Sequence, residues 1–333
     1  MLIVSSVLVF LIILGIFHFR YPFIYKHRGK QKWSVGISRS DENTLGHIVS
    51  TLDSETLKQK YGFDGIADPW MISAEDGLYL FVEVLKVFKG ELRVFKSNNL
   101  LDWTLLGEPI NEEFHLSYPQ VIEKNNTYYL LPETAKAEKV ILYKSTNWPL
   151  GWEQSETWLE GEYLDTTYFE FKGNHYLINV DRNSVCHLFV SSEFENAKWQ
   201  EHPKSPLGIG NRFRPGGRPI VTDQEVIIPV QCRRKGYGTA VYQLILHKLS
   251  ATELKFRKGK AMLKAIDGTV FNSGIHHMDY FNFRDKDYMV FDGRGGKGAV
   301  YRIINFKRSF KENIYDLLSS IHYPKHLPFL DNW

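Results

Sequence analysis

The sequence has little net charge and very little cysteine. Its 41 Lys and Arg residues nearly balance 38 Asp and Glu residues, and a formal charge of +3 spread over 333 residues argues against a nucleic-acid partner. Two cysteines, Cys186 and Cys232, allow one disulfide, although two buried thiols are the favoured prediction. No Cys or His spacing is typical of a zinc site, so we expect no metal and no cofactor.

Helical periodicity is also nearly absent, and it is sustained only over residues 311–321. No amphipathic crossover of about 10 to 15 residues separates the predicted strands, which argues against a parallel α/β fold. The 14% aromatic content rests mainly on Phe and Tyr and favours strands. A chain of 333 residues with 43% hydrophobic content can bury a large core.

The N-terminus contains the one long apolar run. Residues 2–17 carry no charge and precede several aromatic residues, so we predict a transmembrane anchor over residues 1–23. The flanking residues of a secretory signal are missing. Basic residues follow instead, in a juxtamembrane linker predicted over residues 24–31, and they favour a membrane protein with a cytoplasmic body. The alternative is an anchor with the body outside the cytoplasm.

Five similar units follow at a period of about 50 residues. Each has a short strand, a turn with Gly, Asn or Asp, and a second strand of alternating apolar and aromatic residues. The units begin at Asp68, Tyr118, Asp165, Arg218 and Met278. In the last two units, "TAVYQLILHKLSATELKF" and "AVYRIINFKRSF" are the predicted outer strands.

This repeat predicts an all-β fold, a five-bladed β-propeller over residues 32–310, followed by a C-terminal helix and tail over residues 311–333. In a closed ring each sheet buries its faces against its neighbours. The segment "KWSVGISRS" precedes the first complete unit, and we expect it to pair with the last blade and close the ring. A β-sandwich is the structural alternative, but it does not explain five similar units.

Polar residues recur where the inner strands would face the centre of the ring. Buried charges are costly unless they are paired or used, and carboxylates facing arginines and histidines would suit a polyhydroxylated ligand. The predicted catalytic residues are Asp68, Glu133 and Asp165. The predicted substrate-binding residues are Glu83, Tyr118, Arg214, Arg218, Gln231, His276, His277, Asp279 and Asp292. Each has a structural alternative as a turn, cap or charge partner, and only one of the two adjacent histidines can face the channel.

Nine short motifs occur in order, among them "ADPW", "LSYPQV", "LPET", "RPGGR", "QCRRKGYG", "GIHHMD" and "VFDG". Together they resemble the five-bladed propeller domain on the N-terminal side of plant glucosamine inositolphosphorylceramide transferases and of bacterial relatives associated with polysaccharide gene clusters. The resemblance covers residues 32–293. More distantly, the chain is similar to the five-bladed enzymes of glycoside hydrolase family 43.

The resemblance to those hydrolases implies roles for two aspartates. Asp68 in "ADPW" matches their catalytic base, and Asp165 matches the aspartate that tunes the acid. Their general acid has no match, because the corresponding blade begins with "RPGG". Glu133 is a candidate substitute, but we expect nearby arginines to lower its pKa and make it a poorer acid. Arginines in the channel suit a phosphate leaving group.

These features favour a glycosyltransferase of glycan or glycolipid biosynthesis. In it, Asp68 or Glu133 deprotonates the acceptor hydroxyl, while Arg214, Arg218 and a histidine stabilise the departing phosphate. The predicted partners are a sugar nucleotide or lipid-linked sugar, a glycan acceptor and the membrane. Two alternatives stay open: a glycoside hydrolase with the same carboxylates, and a non-catalytic glycan-binding module that assists a separate glycosyltransferase.

Overall fold

The computed structural model describes residues 2–27, 32–41, 44–87, 89–298, 300–303 and 306–320. Five antiparallel sheets follow one another, and their innermost strands pack side by side around a common centre. The elements that precede the first complete blade are α1 Leu2–Arg20, β1 Ile24–His27, β2 Lys32–Asp41, β3 Thr44–Leu52 and α2 Ser54–Tyr61. The predicted five-bladed β-propeller is therefore confirmed.

The later elements form the blades in chain order. Blade one contains β4 Gly65–Ala74, β5 Gly77–Lys86, β6 Lys89–Ser97 and β7 Thr104–Gly107. Blade two contains β8 Ser117–Lys124, β9 Thr127–Glu133, β10 Lys139–Asn147 and β11 Gly151–Glu160, with a 3-10 helix at Ala135–Ala137. Blade three contains β12 Tyr163–Phe171, β13 Asn174–Asp181, β14 Val185–Ser191, β15 Gln200–Glu201 and β16 Gly208–Ile209. Blade four contains β17 Ile220–Val221, β18 Glu225–Cys232, β19 Ala240–His247 and β20 Lys255–Lys264. The last elements are β21 Met278–Phe283, β22 Lys286–Gly295, β23 Val300–Ile303 and α3 Phe306–Ser320.

Blade five closes the ring with strands from both parts of the chain. Its order is β21-β22-β2-β3, and the register of β2 on β22 runs from Lys32 opposite Gly295 to Arg39 opposite Tyr288. The prediction that "KWSVGISRS" pairs with the last blade is confirmed. The prediction that "AVYRIINFKRSF" forms outer strands of this blade is wrong, because β2 occupies that edge and β23 pairs with β1 instead.

Apolar residues from both faces of each sheet fill the spaces between neighbouring blades. On β5, Leu80 packs into the cluster shared with blade five, whereas the next residue, Phe81, packs into the cluster shared with blade two. On β13, Leu177 packs into the cluster shared with blade two, and the next residue, Ile178, packs into the cluster shared with blade four. Successive strand residues point to opposite faces, so near-continuous apolar runs are required here.

The N-terminal helix does not support the predicted transmembrane anchor. Within the described residues, no helix is long and apolar enough to cross a membrane. Helix α1 ends at Arg20, whose Nη2 lies 3.1 Å from Oδ2 of Asp316 on α3. In the predicted linker, Ile24–His27 form strand β1, and residues 28–31 lie outside the described residues. The predicted tail at residues 321–333 also lies outside them.

Two smaller features complete the comparison with the sequence. Helix α2 was not predicted, although its ends carry standard signals: the Asp53 side chain caps the N-terminus and Gly62 takes the left-handed conformation at the C-terminus. The two cysteines, Cys186 and Cys232, are both buried and free, as expected.

Candidate active site

Three inner strands have a β-bulge at the same position, and each bulge contains a predicted site residue. Asp68, Tyr118 and Asp165 all have a φ of 49°, in the left-handed region that side-chain-bearing residues rarely adopt. Register shifts mark the bulges in β4, β8 and β12. Bulges of this kind re-aim a side chain and free a backbone amide from the ladder. Strained backbone at three equivalent positions is therefore a feature of the site.

The freed amides connect one blade to the next through carboxylates. The Asp68 amide donates to Oδ2 of Asp292 at 2.9 Å, joining blades one and five. The Tyr118 amide donates to Oδ2 of Asp68 at 3.1 Å, and the Asp165 amide donates to Oε2 of Glu133 at 3.3 Å. Hydrogen bonds to charged acceptors are stronger than neutral ones, so these contacts fix both the carboxylates and the packing of blades.

A histidine lies between two of the carboxylates. His276 Nδ1 is 2.7 Å from Oδ1 of Asp292, and its Nε2 is 3.4 Å from Oδ1 of Asp68. Burial opposes the histidine's charge, but the carboxylates, Asp292 first, raise the pKa of His276 overall. Burial would raise the pKa of Asp292, but the charge and hydrogen bond of His276 lower it below its usual value. Burial raises the pKa of Asp68 to about 7 although His276 opposes the shift.

A metal ion could be held by the same three residues. Ligand atoms of Asp68, His276 and Asp292 lie within 4.8 Å of one another. One imidazole and two carboxylates are a usual donor set for divalent metals. However, both ring nitrogens of His276 already face carboxylates, so the three side chains compensate one another's charge without an ion.

An arginine joins the carboxylates of blades two and three. Arg214 Nε lies 2.6 Å from Oδ2 of Asp165, its Nη2 lies 2.9 Å from Oδ1, and Nη2 is 3.4 Å from Oε2 of Glu133. Gln231 Nε2 also donates to Asp165 Oδ2 at 2.6 Å. Burial would raise the pKa of Asp165, but the charge and hydrogen bonds of Arg214 lower it below its usual value.

Glu133 behaves differently from the sequence-based expectation. Burial and the neighbouring Asp165 charge raise the pKa of Glu133 to about 8, although Arg214 opposes them. The expected lowering of this pKa by arginine is therefore wrong. It fails because Arg214 donates two hydrogen bonds to Asp165 and only a longer one to Glu133. Glu133 is thus held as a protonated acid near neutral pH.

Glu83 is the third carboxyl with a raised pKa. Burial is the main cause and the charge of Asp68 adds to it, so the pKa of Glu83 is well above its usual value. Its Oε1 is 3.4 Å from Nε2 of His115, whose Nδ1 accepts a hydrogen bond from the Gly90 amide at 2.9 Å. Burial lowers the pKa of His115. Gly90 is required here, because a Cβ atom would lie 2.5 Å from the Glu83 carboxylate.

Two of the predicted binding residues form a separate cluster. Arg218 Nε lies 2.6 Å from Oδ1 of Asp279, and its Nη2 donates to the Met71 carbonyl at 2.9 Å. Asp279 also accepts from the Met71 amide at 2.9 Å. Among described residues, no contact of Arg218 reaches Asp68 or Asp165. Arg218 therefore links blades four, five and one, in a cluster separate from the pair of Arg214 and Asp165.

The two adjacent histidines lie just before β21 rather than on a strand, and they have different surroundings. His276 lies among the carboxylates, whereas the ring of His277 is 5.1 Å from that of Tyr118 and 6.0 Å from that of Trp70. Burial lowers the pKa of His277 to about 4, so it is neutral. Tyr118 is likewise buried, with its hydroxyl 2.8 Å from Oγ1 of Thr167. His277 and Tyr118 thus form an aromatic layer next to the carboxylates.

Sequence reasoning missed two aromatic residues at the edge of the site. The Tyr237 side chain is 39% exposed, and its ring centroid lies 4.9 Å from that of His276 and 6.0 Å from that of Trp33. Arg214 lies 5.8 Å from the centre of the same tyrosine ring. The glycine-flanked tyrosine in "KGYG" was the available signal. Trp33 lies within the closing strand and has no comparable signal.

The site therefore combines ionised carboxylates, carboxyls held protonated and an aromatic edge. Such a group can bind hydroxyl-rich ligands and transfer protons near neutral pH. The protein is thus a five-bladed β-propeller with a polar site at the ends of its inner strands. Within that class, the chain belongs to the family described as "Glucosamine inositolphosphorylceramide transferase 1, N-terminal", which matches residues 12–294.

Curated relatives carry the same family name. The chain is 27% identical over 208 residues to glucosamine inositolphosphorylceramide transferase 1 of Oryza sativa subsp. japonica, a match that covers 59% of this chain and 28% of the relative. It is 29% identical over 203 residues to the protein of that name from Arabidopsis thaliana, covering 57% of this chain and 26% of the relative. The chain thus spans little more than a quarter of these relatives. The resemblance predicted from the motifs is confirmed.

Solved structures of similar fold are glycosidases. An α-L-arabinofuranosidase from Podospora anserina in complex with cellotriose has a TM-score of 0.51 at 11% identity, covering 70% of this chain and 92% of that enzyme. The family 62 arabinofuranosidase domain from Coprinopsis cinerea has a TM-score of 0.50 at 12% identity, covering 78% and 97%. At these identities the likeness shows the shared fold alone.

Proposed function

We propose that this propeller is a carbohydrate-active domain of glycan or glycolipid biosynthesis that transfers a glycosyl group to an acceptor hydroxyl. The observation that carries the proposal is the state of Asp68, a buried carboxyl with a pKa of about 7. Its Oδ1 accepts no hydrogen bond from the described groups and has only the longer contact of 3.4 Å with Nε2 of His276, whereas Oδ2 accepts from the Tyr118 amide. A general base works best when its pKa is near the working pH. The names of the curated relatives support the transferase class.

In the proposed step two protons move. Asp68 accepts the proton of the acceptor hydroxyl while the oxygen of that hydroxyl forms a bond to the anomeric carbon of the donor sugar. The bond from that carbon to the leaving oxygen breaks, and Glu133, protonated because of its pKa of about 8, donates its proton to that oxygen. Asp165 stays ionised beside Glu133 through its pair with Arg214.

The charge of the site restricts the donor. Arg214 is already bound to two carboxylates, and Arg218 belongs to the other cluster. A phosphate would meet mainly carboxyl groups near Asp68, which is unfavourable. We therefore propose that the phosphate of a sugar nucleotide or lipid-linked donor approaches the site only through its bridging oxygen, which Glu133 protonates, while its other oxygens point away from the carboxyl groups. This replaces the expectation that both arginines stabilise the departing phosphate.

Hydrolysis is the second candidate, because the acid–base pair proposed for transfer also meets its requirement. A glycosidase needs one carboxyl held protonated and one ionised, and Glu133 with Asp68 supplies such a pair. In this case water replaces the acceptor hydroxyl. The propeller as a saccharide-binding module for a separate glycosyltransferase is the remaining alternative.

Product analysis tests these candidates. The full chain, in neutral detergent, is incubated with radiolabelled sugar nucleotides and lipid-linked sugars plus a panel of glycan and glycolipid acceptors. Label on an acceptor supports transfer, and free reducing sugar supports hydrolysis. Saccharide binding without turnover supports the binding module. Absence of both turnover and saccharide binding would contradict a carbohydrate-active site.

Matched variants assign any activity to the site. Asp68→Asn and Glu133→Gln keep the shape of each side chain and remove its acid–base function, so turnover should fall about 100-fold or more. Asp76→Asn is the control, because Asp76 lies in the exposed turn of blade one and pairs with Lys96. Equal turnover in all three variants would rule out both carboxyls.

The location of the protein is a separate proposal. Lys26, Arg28, Lys30 and Lys32 follow helix α1, and we propose that they attract the protein to the anionic cytoplasmic surface of a membrane, so that the propeller lies in the cytoplasm. A reporter fused after the C-terminus tests this in cells. A signal from outside the cytoplasm would contradict the proposal.

A further inference from the structure

A second polar cavity lies on the outside of the propeller, away from the ring of carboxylates. It has a volume of about 560 Å³ and is bounded by the end of helix α1, strand β20 of blade four and helix α3. Its ionisable lining consists of Arg20, Arg212, Arg234, Arg257, Lys258 and Asp316. Five cations face one carboxylate. We call this cavity the basic pocket.

The single carboxylate is already engaged. Asp316 Oδ2 accepts a hydrogen bond from Arg20 Nη2 at 3.1 Å and another from the Tyr21 hydroxyl at 2.8 Å. Its Oδ1 lies 3.8 Å from Lys258 Nζ. One carboxylate thus serves two cations and a hydroxyl, and it cannot also compensate the arginines of the pocket.

Arg234 has a structural function. Its Nε donates to the Arg20 carbonyl at 2.7 Å, and its Nη2 donates to the Phe19 carbonyl. These are terminal carbonyls of helix α1, where cations are favourable. The negative end of that helix offsets part of the charge of Arg234. Arg257 Nη2 lies 3.7 Å from Oε2 of Glu225, so the least compensated cations of the pocket are Arg212 and, beside it, Lys258, which only shares Asp316.

Arg212 is held in place without an acidic partner among the described residues, and Lys258 shares Asp316 with Arg20. Arg212 has a φ of +64°, its guanidinium lies 4.3 Å from the centre of the Tyr242 ring, and its Nη2 donates to the Gly259 carbonyl at 2.6 Å. Its Nε is buried and has no acceptor among the described groups. Burial lowers the pKa of Lys258, and the charge of Arg212 adds to this effect. A strained, incompletely satisfied arginine next to a partly buried lysine is costly unless an anion binds.

We propose that the basic pocket binds a phosphate group. The planar guanidinium of arginine matches phosphate oxygens, and lysine adds a point charge. The pocket is large enough for one phosphorylated headgroup and too small for an extended polyanion. Apolar side chains of helix α1 are exposed beside it, with Phe19 at 75% exposure. The phosphate can therefore come from a lipid headgroup or from a small soluble ester.

Two binding assays distinguish the sources. The full chain in neutral detergent is titrated calorimetrically with inorganic phosphate and with glycerol 3-phosphate. In parallel, the chain is mixed with vesicles of phosphatidylcholine alone or with one fifth phosphatidylglycerol, and flotation measures binding. Binding of the soluble anions supports the proposal with a soluble ligand, and binding only to the anionic vesicles supports it with a lipid headgroup.

Variants connect binding to the pocket. Lys258→Met and, separately, Arg212→Gln should each weaken the binding observed by about tenfold, because each removes a charged donor. Lys255→Met on the same strand is the control, since Lys255 is exposed and lies outside the pocket. Circular dichroism establishes that each variant is folded. Absence of phosphate or anionic-vesicle binding by the wild type would overturn the proposal. Binding that both pocket variants retain, or that Lys255→Met loses equally, would also overturn it.

Discussion

Arg214 forms a two-point ion pair with Asp165 from the neighbouring blade, with Nε–Oδ2 and Nη2–Oδ1 distances of 2.6 and 2.9 Å. The pair keeps Asp165 ionised inside the protein, next to Glu133, whose pKa is raised to about 8. It also commits Nε and Nη2 of Arg214 to carboxylates. Because of this pair, Asp165 is the anion and Glu133 is the acid, and little positive charge remains at the site for a phosphate.

Removing this arginine should destabilise the propeller strongly. Arg214→Met leaves the buried Asp165 carboxylate without its charge partner, and we expect a loss of about 3 to 5 kcal/mol in the free energy of unfolding. Urea denaturation measures it. The double variant Arg214→Met with Asp165→Asn should recover part of the loss, because no uncompensated charge remains. A loss below 1 kcal/mol in the single variant (roughly the value of an exposed pair) would mean that the ion pair is not buried as described.

Stability should decrease as the pH rises from about 6.5 to 8, above the range in which the lowered pKa of His277 acts in the opposite direction. Asp68 and Glu133 have folded-state pKa values of about 7 and 8, above their values in an unfolded chain. The native state then binds more protons than the unfolded state over this interval, so raising the pH favours unfolding. Asp165 and Asp292 have lowered pKa values, and their contribution is lost only as the pH falls towards and below the usual carboxyl range.

Urea denaturation between about pH 5 and 9 measures this dependence. Asp68→Asn and Glu133→Gln should each flatten the decline, because a neutral amide does not titrate. Asp76→Asn, at an exposed carboxyl, should retain the wild-type slope. A wild-type stability that is constant over this range would contradict the raised pKa values.

The hydroxyl of Tyr118 should be important for stability. It lies 2.8 Å from Oγ1 of Thr167 and accepts a hydrogen bond from the Gly217 amide at 2.9 Å. Tyr118→Phe leaves these buried groups unsatisfied, at an expected cost of about 1 to 3 kcal/mol. Tyr176→Phe is a matched control, since the buried Tyr176 hydroxyl has no partner among the described groups and should be lost without cost. Equal effects in urea denaturation would contradict the hydrogen bonds assigned to Tyr118.

Tyr237 should affect ligand binding more than folding. It is partly exposed and packs against His276 and Trp33 at the edge of the site. If its ring stacks on a sugar, Tyr237→Ala should weaken saccharide binding about tenfold. Calorimetry with the saccharide identified by product analysis measures this. A matched change at the half-buried Tyr61, Tyr61→Ala, should leave the affinity unchanged. An unaltered affinity in Tyr237→Ala would remove this residue from the binding surface.

The fold was largely predictable because its repeat is visible in the sequence. Five units and a leading strand that closes the ring follow from strand alternation and from the need to bury both faces of each sheet. The edge pairing was less predictable. Both "KWSVGISRS" and "AVYRII" are strand-like, and only packing decides which of them reaches blade five. Helix α2 was not predicted because it is too short for a clear helical period, although Asp53 and Gly62 mark its ends.

The site was predictable by residue type and less so by position. Asp68, Glu133 and Asp165 come together because blade starts and second-strand ends meet at the centre. Arg218 does not join them, because the backbone between it and Arg214 passes close to blade five at Gly217, where a Cβ atom would lie 1.8 Å from the Met278 carbonyl. The direction of the Glu133 pKa shift required the geometry. The sequence indicates which charged residues are near Glu133. It does not show how deeply Glu133 is buried or that Arg214 pairs mainly with Asp165.

A carboxyl titration by NMR tests the central claim most directly, because it needs no substrate. The chain is labelled with ¹³C at the side-chain carboxyls of Asp and Glu, and signals are assigned through Asp68→Asn and Glu133→Gln. We predict that the signal lost in the first variant titrates near pH 7 and that lost in the second near pH 8. If both instead titrate at about pH 4, like exposed carboxyls, the ring of carboxyls holds no acid or base suited to neutral pH, and the account is contradicted.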